Sequence, residues 1–123
     1  MIVVDTSALI DSLCEPRRSF DRLEELVASG QILAIPTLVL YEWLRGPRTT
    51  EQLMDQEALL PRERAVPFGP VEAARAAQLY KAVRRARGRE IDLAIAATAI
   101  VRDGALWTLN TSDFVDIPGL SLV

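Results

Sequence analysis

Four acids stand in settings that suit chemistry. Asp5 ends the apolar run Ile2-Val3-Val4 and leads into Thr6-Ser7, and Asp113 closes the polar run Asn110-Thr111-Ser112-Asp113. Glu42 is the only charge between Thr37 and Leu44, and Asp92 is the only ionisable residue between Ile91 and Val101. Each has an ordinary structural reading as well. Asp5 can cap a helix, Glu42 can face water, Asp92 can complement a helix dipole, and Asn110 to Asp113 can form an Asx turn with a helix cap. Brought to one place, they mean something else. Carboxylates that close repel one another by several kcal/mol unless a cation binds or some hold a proton.

Composition decides which cation that is. The chain has 123 residues, no histidine and one cysteine, Cys14. Imidazole acid–base catalysis, Ser–His triads, His-ligated metals, Cys-cluster zinc sites and an intrachain disulfide are therefore excluded. A purely oxygen-based ligand set selects Mg²⁺ or Mn²⁺. Such a site activates water and stabilises charge developing on a phosphate.

The elements that would position these acids follow from the pattern. The sequence predicts a short strand at Ile2–Val4 ending at Asp5, then a helix marked by Phe20, Leu23, Leu26 and Val27, with Gly30 past its end. A second strand reads Ile32 to Ile35, stopped by Pro36. Thr37 caps a helix reaching about Leu44, and another helix runs from Thr50 to Leu60. Ala65 to Phe68 reads as an edge strand at most, because of Pro67. A long alanine-rich helix runs from Val71 to Arg87, interrupted by Gly88. The next runs from Glu90 to Asp103 and is closed by Gly104. Leu106 to Leu109 and Leu120 to Val123 are the last strands. This alternation implies βαβ units: a single α/β domain over residues 1–123, with a central parallel sheet and helices on both faces. Ligands of such sheets bind beyond the carboxyl ends of the strands, where Asp5 and Asn110 fall.

Half of the residues are hydrophobic and a quarter charged, which suits a folded domain. The N-terminus has no basic stretch before Asp5, and no apolar run approaches the ~20 residues that span a bilayer. A cytoplasmic protein with no membrane partner is expected. Net charge is −3, yet the segment from Arg62 to Arg89 carries eight basic residues against two acidic ones. A basic stripe of this kind can bind a polyanion locally. Within it Arg84, Arg85, Arg87 and Arg89 lie just before Asp92 and are candidate contacts for the phosphates of a nucleic acid; each can equally be part of a solvated helix surface. Trp43 and Trp107 can stack bases, but their aliphatic neighbours favour a place in the core.

Asp5-Thr6-Ser7-Ala8-Leu9, Glu42 on an apolar helix, Asp92-Leu93-Ala94-Ile95-Ala96-Ala97-Thr98-Ala99, and Thr108-Leu109-Asn110-Thr111-Ser112-Asp113-Phe114 together resemble the PIN-domain ribonucleases. More narrowly, they resemble the VapC-type toxins of toxin–antitoxin pairs. The resemblance covers the whole chain in order. It implies a PIN-like three-layer fold. Asp5, Glu42, Asp92 and Asp113 would be the catalytic, metal-holding quartet for one or two Mg²⁺ or Mn²⁺ ions, with Ser7 and Asn110 as polar supports. Asp116 is an alternative fourth acid. The implied activity is endonucleolytic hydrolysis of RNA phosphodiester bonds by a metal-activated water. The implied partners are RNA, a second copy of the chain, and an antitoxin whose C-terminal segment covers the site.

A response-regulator receiver domain would need a lysine after its last core strand, but Lys81, the only lysine, lies in a predicted helix. A haloacid-dehalogenase-type phosphatase would need an aspartate where Ser7 stands. The remaining alternative is a catalytically silent PIN-fold module used for binding or scaffolding.

Overall fold

The computed structural model describes all residues from Met1 to Val123. Its elements in chain order are β1 (Ile2–Val4), α1 (Thr6–Leu13), α2 (Phe20–Ala28), β2 (Leu33–Ala34), α3 (Thr37–Arg45), α4 (Thr50–Leu59), α5 (Pro70–Ala82), α6 (Glu90–Val101), β3 (Ala105–Trp107) and β4 (Ser121–Leu122). Short 3-10 turns occupy Arg62–Arg64 and Thr111–Asp113.

The strands form one parallel sheet in the order β2-β1-β3-β4. The chain steps outward from β1 to β2 and then returns past β1 to β3. Right-handed crossovers therefore place the two helical connections on opposite faces of the sheet. This is the α/β architecture expected from the sequence. Buried on both faces, β1 consists wholly of Ile2, Val3 and Val4, as a central parallel strand requires. Between Ala65 and Phe68 only Val66 pairs, through a single parallel bridge to Pro36, so the edge strand shrinks to one residue.

Helix α6 is the centre of the fold. Leu93 to Ala99 are all buried, and the small side chains of Ala94, Ala96, Ala97 and Ala99 let it sit close to α3, α5 and β3. Behind it, Asp103 takes the left-handed conformation (φ 54°), a role the sequence suggested for Gly104. Gly104 serves a different need: a Cβ there would lie 3.1 Å from the Met1 carbonyl, so glycine lets the chain enter β3 tight against β1.

Two other elements differ from the sequence reading. The stretch between Asp5 and Phe20 holds a helix of its own, α1, with Ala8, Leu9 and Leu13 buried. The helix expected to reach Arg87 ends at Ala82. Val83 is extended (ψ 151°) and Arg85 is left-handed (φ 55°). Alanine and arginine favour helix up to that point, but burial decides otherwise: the turn packs Val83 and Ala86 onto the core. Arg84, Arg85 and Arg87 therefore project from a loop, and Lys81 lies in the last turn of α5. Both tryptophans are core residues, Trp43 at 0% and Trp107 at 4% exposure, with the Arg48 guanidinium 4.3 Å above the Trp43 ring. Neither offers a face to a base. No helix is long and apolar enough to cross a membrane.

Candidate active site

Asp5 leaves β1 as the first residue beyond its paired core. Its N–H still donates to the Trp107 carbonyl, while its backbone (φ −81°, ψ 158°) takes up the N-cap position of α1. The carboxylate does no capping. It accepts hydrogen bonds from Thr108 Oγ1 (2.6 Å) and Ser7 Oγ (3.1 Å) and is only 5% exposed. A buried carboxylate must be compensated, and two hydroxyls supply part of that compensation. Ser7 Oγ also lies 3.2 Å from Thr108 Oγ1 and accepts the Leu109 N–H at 3.0 Å. The ends of β1 and β3 are thus stitched together around one acid.

Glu42 does not simply face water. Thr6 Oγ1 donates to its Oε1 at 2.6 Å, and the Arg45 guanidinium lies 3.5 Å from Oε2 one helical turn on. Its side chain is 21% exposed. The bond to Thr6, the residue after Asp5, brings α3 to the carboxyl end of β1.

Asp92 lies in the first turn of α6, where a helix dipole alone would lower its pKa. Instead its pKa is pushed up to about 6, chiefly by burial and then by the negative charges of Asp5, Asp113 and Glu42, with Arg89 opposing. Carboxylates from four separate segments thus act on one another at this end of the sheet. No three of them close tightly enough to form a metal cage by themselves; Asp5 and Glu42 lean on local donors instead. The donor set consists of hard oxygen ligands with excess negative charge, which fits Mg²⁺ or Mn²⁺ and suits no soft metal.

Asp113 ends the 3-10 turn after β3 and is exposed. Asp116 is engaged elsewhere: Arg89 grips both of its oxygens, at 2.7 and 3.0 Å, and holds its carboxyl below the usual range. The Asn110 side chain bonds to none of the acids. Its backbone N–H donates to Thr108 Oγ1 at 3.1 Å. Thr108, at 6% exposure, provides the support. Sequence reasoning gave no role to Thr108 or Thr6, although each is a hydroxyl residue just past a strand end and lies within a motif already singled out.

Arg84, Arg85 and Arg89 line an open cleft of about 500 Å³ with Ser112, Asp113 and Asp116. Arg87 is exposed but does not line it.

Residues 2–120 match the PIN domain family. The chain is 33% identical to Ribonuclease VapC19 of Mycobacterium tuberculosis (strain ATCC 25618 / H37Rv) over 98% of this chain and 97% of that protein. Among solved structures it resembles VapBC2 from Rickettsia felis bound to a DNA fragment from their promoter, with a TM-score of 0.76 and 22% identity over 100% of this chain and 98% of that one. It also resembles VapBC-5 of the VapBC family of toxin–antitoxin systems from Mycobacterium tuberculosis, with a TM-score of 0.64 and 25% identity over 97% of this chain and 91% of that one. The match runs from the first strand to the approach of the last, across every segment that delivers an acid to the sheet edge, and the chain belongs to the PIN-domain family.

Proposed function

We propose that this chain is a divalent-metal-dependent endoribonuclease, the toxin of a type II toxin–antitoxin pair, and that residues 1–123 form the single domain that acts. One observation carries the chemistry: Asp5 is buried and fastened by Thr108 and Ser7, while its charge, with those of Glu42 and Asp113, bears on Asp92. Asp5, Glu42, Asp92 and Asp113 would hold Mg²⁺ or Mn²⁺. When bound, the ion supplies an activated water and offsets charge on the phosphate.

The chain's own residues do the rest. Thr108 and Ser7 fix one carboxylate orientation for Asp5, and Thr6 does the same for Glu42. Arg84 and Arg85, on the turn after α5, face the cleft beside Asp113 and suit the phosphates flanking the cut. Arg87 lies on the same turn and does not line that cleft. The likeness to VapC and VapBC proteins, together with this acid set, supports the toxin reading and its cytoplasmic setting.

Partners follow from the same reading. Exposed apolar side chains on Phe68, Val71, Tyr80 and Ile91, and separately on Val27 and Leu59, offer surfaces for a second copy and for an antitoxin. A silent binding module would have no need of four acids held in mutual repulsion.

The test is cleavage of RNA by purified protein with Mg²⁺ or Mn²⁺. Wild-type protein should cut and should stop when chelator is added, and Asp5→Asn and Asp92→Asn should both be inactive. Cleavage that survives in both variants rules out this site. Absence of Mn²⁺ binding in calorimetry rules out the metal and favours the silent module.

A further inference from the structure

Arg89 holds the N-cap position of α6, three residues before Asp92. Its Nη1 donates to Asp116 Oδ2 at 3.0 Å and to the Arg84 carbonyl at 3.3 Å. Its Nη2 donates to Asp116 Oδ1 at 2.7 Å and to the Asp113 carbonyl at 2.8 Å. A guanidinium carries five N–H donors, so these bonds leave only Nε–H free. That is too little for a forked grip on a phosphate, the arrangement that makes arginine effective there.

The same bonds tie three stretches together: the turn after α5, the start of α6 and the loop after β3. Phe114, 1% exposed, anchors that loop in the core from below. On the outer side, the Asp113 carboxylate accepts no hydrogen bond. Its distance from Asp92 therefore depends on the main chain that carries it, and Arg89 grips that chain at the Asp113 carbonyl itself.

We propose that Arg89 is a positioning residue, a strap that fixes the Asp113 main chain relative to Asp92, with Asp116 as the anchor that aims the strap. The inference rests on the reading that Asp92 and Asp113 serve one ion. It takes Arg89 out of the set of phosphate contacts and Asp116 out of the set of ion ligands.

The full-length protein can be tested with Mn²⁺ alone in calorimetry and with random-sequence RNA in steady-state cleavage. Arg89→Lys keeps the charge but cannot fork. It is expected to weaken Mn²⁺ binding and lower kcat by about 10-fold or more, the scale seen when supports of metal ligands are removed, with KM for RNA little changed. Asp116→Asn leaves Arg89 in place and should reproduce the pattern. The double variant should be no worse than the worse single one, because both changes break one unit. A general loss of stability would lower the active fraction, and with it the Mn²⁺ stoichiometry, without weakening the Mn²⁺ affinity of the folded protein.

Mn²⁺ affinity and kcat at wild-type levels in Asp116→Asn overturn the strap, even if Arg89→Lys fails to fold. So does a rise in KM alone in Arg89→Lys, which would make Arg89 a phosphate contact. Loss of Mn²⁺ binding in Asp116→Asn but not in Arg89→Lys would make Asp116 a ligand and overturn it as well. Wild-type protein that binds no Mn²⁺ overturns the ion reading and the strap together, a result distinct from the other three.

Discussion

The sheet has two ends, and a cleft opens near each. The one by the amino ends of the strands, about 570 Å³, is lined by Met1, Arg22, Gln31, Asp103, Gly104 and Ser121, among others. The one by the carboxyl ends, about 500 Å³, is lined by arginines and by Asp113. Volume does not separate them. Charge does: the amino-end cleft has one acid, Asp103, at its surface, whereas the carboxyl end gathers four acids besides the Arg89-paired Asp116, one of the four buried and another with its pKa driven up to about 6. A fold tolerates such an arrangement where function requires it, so the energetically awkward end is the informative one.

The comparison breaks most readily at Asp5. Asp5→Asn should reduce RNA cleavage by more than about 100-fold, since removing even a support of a metal ligand costs ~10–100-fold. Asp103→Asn at the other end should leave the rate as it is, with asparagine tolerated at a positive φ. Equal losses in the two variants would mean that the two ends do not differ in function.

Thr108→Val sharpens the contrast within the acidic end. It keeps shape and burial but removes the hydroxyl that orients Asp5, and activity should fall by about 10–100-fold. Arg84→Gln and Arg85→Gln come next: KM should rise a few-fold while kcat holds, and the dependence of binding on salt should flatten. Salt-dependent binding identical to wild type would remove these arginines from the RNA surface.

The smallest effect is on stability. Folded Asp92 titrates near 6, against 3.8 for an ordinary aspartate. A raised carboxylate pKa weakens the fold fully above the higher value and not at all below the lower. Asp92→Asn should therefore stabilise the protein in chelator at neutral pH by about 1 kcal/mol, a figure reduced from the full linkage value because the group is half-exposed. The gain should fade as pH falls from about 6 to 3.8, as thermal unfolding across that range would show. A variant less stable than wild type at neutral pH would show that the dipole contact outweighs the repulsion.

Asp5, Glu42 and Asp92 were legible in the sequence because each interrupts an apolar run, whereas Asp113 stood out only through the polar run it closes. Ile2-Val3-Val4 fixes where Asp5 emerges, and Leu93 to Ala99 fixes Asp92 at the rim. Their supports were not legible, since Thr108 meets Asp5 across 103 positions and a threonine at a strand end is unremarkable by type. Arg89 sat within a run of arginines and could not be told from them until Asp116, 27 positions on, was seen in its grip. The length of α5 was misjudged for a related reason. Local preference favoured helix through Arg87, while the burial of Val83 and Ala86 against distant residues ended it.

The crowding around α6 has a practical consequence for genetics. Ala96 and Ala97 are fully buried in the helix that begins with the Asp92 turn, and an added methyl or two there should cost about 1–3 kcal/mol through overpacking. Ala97→Val is thus a natural starting point for a heat-sensitive allele, silent in the warm and restored on cooling, with every acid left intact.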